Sequence, residues 1–151
     1  MIELLAAAAC AIAIEAQQDA QLRLRPACPV AFTATHAAVG EALARSAGRR
    51  QVTLHFGRLA EYPWLSTLLA RQASSSRQWR DGIEPNAYVR RALLGMPEFT
   101  ALFDPPWRIE GVAVEEVQLK PARELDLAQG HPVPPERLLP CDGQLWIKLS
   151  R

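Results

Sequence analysis

His55 is the side chain in this sequence best suited to acid–base chemistry. It sits in Gln51-Val52-Thr53-Leu54-His55-Phe56, where Val52, Leu54 and Phe56 alternate with polar residues. That alternation predicts a strand with one buried face, and it places His55 on the other face. An imidazole titrates near neutrality and can take a proton there. Glu61 reaches His55 if the chain turns back after Gly57, and the pair would suit a small hydrolase. The same position equally fits a surface histidine with no chemical role. His36, in the first turn of a predicted helix, and His131, in a proline-flanked loop, have no partner nearby in sequence. Nucleophilic catalysis finds little support: no G-x-S-x-G occurs, and Ser74-Ser75-Ser76 lacks positioning glycines. Glu115 and Glu116, adjacent in a predicted strand, point to opposite faces. With no C-x-x-C or H-x-x-x-H spacing and no nucleotide-binding loop, neither a metal nor a cofactor is expected.

A second constellation mixes arginine with an aromatic. Ser76-Arg77-Gln78-Trp79-Arg80 is followed by Arg90 and Arg91. Guanidinium forks grip phosphates and carboxylates, and an indole stacks on planar groups. An anion or nucleic-acid binder could use this segment, although no nucleic-acid motif frames it. The plainer alternative is a surface loop whose Trp79 packs on the core. Trp146 falls on the polar parity of a strand through Leu145, Ile147 and Leu149, and is expected on an open sheet face as a partner or ligand contact.

The elements that position these residues follow from periodicity. Leu22 and Leu24 mark a short strand ended by Pro26 and Pro29. A helix capped by Thr33 or Thr35 runs to about Ser46. After the Val52–Phe56 strand, Pro63 opens a helix to about Arg71, residues 73–82 read as a polar loop, and Pro85 opens a helix that Gly95 stops. Pro97 begins a short helix through Phe103. Trp107–Leu119 reads as a long strand with a bulge at Gly111, residues 121–143 as mostly irregular, and Leu145–Leu149 as the last strand. The predicted class is α+β: a two-layer sandwich with a mostly antiparallel sheet of about four strands and helices on one face.

The 151 residues suit one domain over residues 17–151, preceded by a distinct start. Leu4–Ile14 is an unbroken apolar run, too short for a transmembrane span. Residues 1–16 read either as a signal peptide, with Ala11-Ile12-Ala13 as a cleavage site but no basic n-region, or as an Ala-rich helix packed on the sheet, over Trp146. Ala7-Ala8-Ala9-Cys10 faintly resembles a lipoprotein box. Cleavage would leave Cys28 and Cys141, both beside prolines, and an exported chain would bridge them. Retention would go with reduced thiols and a cytoplasmic protein.

Arginine outnumbers lysine by 15 to 2, the bias of a GC-rich bacterial genome. The net charge of +1 hides a basic middle, with nine arginines and three acids over residues 45–91. That middle meets an anionic partner or the acidic ends of the same chain. These features favour an exported, envelope-associated binding protein, periplasmic or secreted, over an enzyme. Its partner would be another protein or an anionic ligand, met by the open sheet face and the Arg77–Arg91 region.

Overall fold

A computed structural model describes residues 10–121 and 138–151. The chain is α+β, with a five-stranded mixed sheet in the order β1-β2-β3-β5-β4. Strands β1 (Ile12–Gln18) and β2 (Gln21–Pro26) form an antiparallel hairpin. Helix α1 (Phe32–Arg45) then carries the chain to β3 (Gln51–Arg58), which lies parallel to β2. A 3-10 turn (Leu59–Glu61) and helices α2 (Pro63–Ser75), α3 (Arg77–Arg80), α4 (Pro85–Leu94) and α5 (Pro97–Thr100) follow. Strands β4 (Arg108–Pro121) and β5 (Leu138–Ser150) pair antiparallel, and β5 inserts between β4 and β3.

One parity of each strand builds the core. Leu24, Val52, Leu54, Phe56, Val112, Val114, Leu145, Ile147 and Leu149 join Val39, Leu65, Leu69, Val89 and Leu93 of the helices in one buried cluster. Each fully buried aliphatic or aromatic side chain contributes about 1.5–3 kcal/mol from removal of apolar surface from water. The opposite parity carries polar residues and Trp146 to a face left open by the described elements.

Several expectations change. The sheet has five strands, not four, because Ile12–Gln18 is strand. The helix considered for residues 1–16 therefore does not extend through Ile12–Ala16, and residues 1–9 lie outside the described residues. Ile12 and Ile14 alternate with Ala13 and Glu15, a period of two that the longer apolar run hides. Helix α1 starts at Phe32 with Ala31 as its cap residue and no side-chain cap. Thr35 instead lies inside the first turn and donates back to Ala31 O at 2.9 Å. Residues 73–82 are largely helical rather than a polar loop, since α2 continues to Ser75 and Ser76 Oγ caps α3 by accepting from Trp79 N. Strand β5 begins at Leu138, within the stretch expected to be irregular, and the brief pairing considered for Leu125 and Leu127 lies outside the described residues. The bulge at Gly111 is present as a register shift between Ile109 and Gly111.

The cysteine pairing also differs. Cys10 and Cys28 are at disulfide distance, with Cα atoms 5.9 Å apart, and Cys141 is free. The reason is the hairpin: Ile12 pairs with Pro26, so the residues just outside that pair are brought together at its open end. Cys141 sits instead on β5, where its thiol donates toward Gln118 O of β4 at 3.4 Å. The bridge expected between Cys28 and Cys141 is therefore absent, and with it the link between that bridge and removal of Cys10. A bridged pair is compatible with an extracytoplasmic location. No helix among the described residues is long and apolar enough to cross a membrane.

Candidate functional site on the open sheet face

One row of side chains crosses the whole sheet. Glu15 of β1 lies opposite Arg23 of β2, Arg23 opposite His55 of β3, His55 opposite Trp146 of β5, and Trp146 opposite Ala113 of β4. Strict alternation on each strand puts all five on the face away from the core. The row therefore follows from register, and register is fixed by burial of the other parity.

At its centre the His55 and Trp146 rings stack, with centroids 4.5 Å apart and planes within 13° of parallel. Arg23 Nη1 stands 3.2 Å from Nδ1 and 3.1 Å from Nε2 of His55. Gln17 Oε1 lies 3.4 Å from Nδ1, and Gln144 Oε1 lies 3.4 Å from Nε2. Nη1, nearly equidistant from the two nitrogens, lies over the ring face, and a neutral imidazole can donate to only one of the two glutamine oxygens. Protonation would set a second positive charge against the Arg23 guanidinium. Burial holds the His55 pKa below its ordinary value; the Gln144 hydrogen bond opposes this, and the charges of Arg23 and Arg25 reinforce it.

Gly57 makes the approach of Arg23 possible. It has φ +89°, and a Cβ there would lie 2.7 Å from both Arg23 Nη2 and Glu61 Oε1. The register of β3 against β5 slips between His55 and Gly57, which bends the strand away into the 3-10 turn. Glu61 is consequently turned to other work. Its carboxylate accepts from Arg58 N at 2.8 Å, and it forms no hydrogen bond with His55.

Beside this row Arg58 pairs with Asp142, its Nε donating to Oδ2 at 2.8 Å. Asp142 Oδ1 accepts from Ala60 N at 3.0 Å and from Gly143 N at 2.8 Å. Burial pushes the Asp142 carboxyl up, but the Arg58 and backbone hydrogen bonds outweigh it and hold the pKa below the ordinary value. With every lone pair engaged, this clamp fixes the 3-10 turn to β5 and has little capacity left for a ligand. Sequence reasoning missed it, because 84 residues separate the two partners.

The Arg-rich segment is placed elsewhere. Trp79 is buried in the core cluster, packs on Tyr88 at 5.1 Å, and donates its indole N–H to Leu138 O at 2.7 Å. Arg77 and Arg80 on α3, and Arg90 and Arg91 on α4, are exposed. Their segment packs through Trp79, Tyr88 and Val89 into the helical core, whereas Trp146 has the opposite parity on β5. His55 and Trp146 are thus brought together, and the Arg77–Arg91 region is not joined to them.

Among the described residues no group of three or more His, Cys, Asp or Glu side chains is placed to hold a metal ion. Comparison with family models, with curated proteins and with solved structures finds no match.

Proposed function

We propose that this chain is an exported, envelope-associated bacterial binding protein that works through the open face of its sheet and without a catalytic step. The surroundings of His55 carry this reading. A general base needs a free lone pair aimed at substrate and is commonly oriented by a carboxylate. Here a guanidinium and an indole lie against the imidazole ring, and a carboxamide oxygen stands beside each of its nitrogens. That is how a recognition surface holds a rigid, amphipathic platform: Trp and His present apolar faces, and fixed neighbours remove the entropy of ordering them. The disulfide-distance pair Cys10–Cys28 supports export, and the arginine bias supports a bacterial source.

The test uses a host strain whose own copy is deleted and replaced by variants of the full chain. Thiol trapping before lysis is expected to find Cys10 and Cys28 blocked and Cys141 reactive, with the chain in the envelope fraction. Trp146→Ala should release it from that fraction. His55→Phe, which keeps an aromatic ring beside Trp146 but cannot shuttle protons, should retain association and phenotype. A cytosolic chain with all three thiols reactive overturns export. Loss of phenotype in His55→Phe with none in Trp146→Ala restores the hydrolase reading.

A further inference from the structure

The row that crosses the sheet ends short. Neighbouring strands lie about 4.8 Å apart, close to the 4.5 Å between the His55 and Trp146 centroids. The stacking direction therefore runs across the strands, and both ring planes stand up from the sheet. His55 covers one face of Trp146. The other face looks toward β4, over the exposed methyl of Ala113, and the residue opposite Lys148 on that strand is Gly111, with no side chain at all. Strand β4 is the edge of the described sheet, so among the described residues this slot has a wall on one side and is open on the other.

Two further features give the slot a polarity. Among the described residues the indole N–H of Trp146, like that of Trp107, has no acceptor, whereas those of Trp64 and Trp79 donate to Thr35 Oγ1 and Leu138 O. Lys148, two residues along β5 on the same face, is exposed and pairs with no described carboxylate, and Arg108 lies one row further on. The nearby Glu110 carboxylate accepts from the Ser150 hydroxyl and keeps its charge, so this end carries two cations against one anion. On the opposite flank stands Glu115, across from Gln144. An anion is therefore attracted at the Lys148 end and repelled at the Glu115 end.

We propose that the slot beside Trp146 binds a planar aromatic ring bearing an anionic group. The ring continues the Arg23–His55–Trp146 stack over Ala113, and the anion points toward Lys148. This assignment rests on the reading of the open face as the binding surface, and it names the ligand class. Stacking on a pre-positioned indole and a single charge contact are both attainable at an exposed site.

The probe is 2-naphthoate, titrated into the isotopically labelled full chain and followed by NMR. The Trp146 indole N–H and the Gly111 and Ala113 amides should move together, with the Trp79 indole unmoved. Ala113→Leu fills the slot from an exposed edge position and should weaken binding about tenfold, a loss of the size expected for one aromatic contact. Ala113→Ser leaves the slot open and should retain binding. Lys148→Gln should abolish the preference for 2-naphthoate over neutral 2-naphthamide. Shifts confined to another surface, undiminished binding in Ala113→Leu, or equal affinity for the two probes in the unmodified chain each overturns the assignment. If naphthoate fails to bind while Trp146→Ala still releases the chain from the envelope, the ligand class falls and the functional reading stands. Slot binding with normal envelope association in Trp146→Ala supports the site and overturns that reading.

Discussion

Trp79 and Trp146 are the same residue in opposite circumstances. Trp79 sits in an Arg-rich stretch that looks like a binding segment, yet its ring lies in the core and its N–H is bonded to Leu138 O. Trp146 sits in a plain strand, yet its ring stands half-exposed on a polar face, stacked on a histidine. Local composition pointed to the first, and parity pointed to the second. An aromatic among charges says little about exposure, because a short helix such as α3 can turn its one large apolar side chain inward and leave Arg77 and Arg80 in water. A residue on a strand has no such freedom once its neighbours Leu145 and Ile147 are committed to the core.

The contrast is broken most directly by truncating each ring. Trp79→Ala should cost about 3–5 kcal/mol, the range for emptying a large core site, and chemical denaturation will show it. Trp146→Ala should cost about 1 kcal/mol, the worth of an aromatic pair at a surface, while removing binding. Equal losses in the two variants would mean that Trp146 is a packing residue after all.

The next contrast is between the cysteines. Cys10 and Cys28 close an 18-residue separation at the open end of the β1–β2 hairpin. Loss of a bridge closing a loop of that size should cost about 3 kcal/mol in the chain-entropy model, whether Cys10→Ser or Cys28→Ser is made. Cys141→Ser should be nearly silent. A comparable loss in Cys141→Ser, with Cys10→Ser silent, would restore the pairing of Cys28 with Cys141.

What the sequence made legible here follows the range of the signal. The Val52–Phe56 and Leu145–Leu149 strands, the helix starts at Pro63 and Pro85, and the position of His55 and Trp146 on the polar parity were all readable from alternation and caps. Strand β1 was not, because Ala11–Ile14 reads as an apolar run until its partner Leu22–Arg25 shows which residues face inward. Which cysteine meets Cys28 is hidden for the same reason: hairpin register decides it, and the apolar run around Cys10 reads as a leader. The Arg23–His55 contact depends on a parallel pairing of β2 with β3, which nothing near His55 encodes, and on Gly57 at positive φ, which reads in sequence only as a turn.

The finest test of the comparison is the titration of His55. Its pKa is lowered by burial first, with the Gln144 hydrogen bond opposing, Arg23 and Arg25 pressing it further down and Glu61 pulling it slightly back. Between the folded value and the ordinary one near 6.5, the unfolded chain binds more protons than the folded one. The stability linked to His55 is therefore fully present above that ordinary value, and is lost as the pH falls through the folded value. NMR titration of the imidazole should place its midpoint below the ordinary value in the intact chain. Trp146→Ala uncovers a ring face and should move the midpoint upward, and Arg23→Met, which removes a nearby positive charge, should also move it upward. An unchanged midpoint in Trp146→Ala would show that the indole does not desolvate the imidazole. The two rings would then be neighbours without forming one platform, and a slot defined by extending their stack would lose its physical basis.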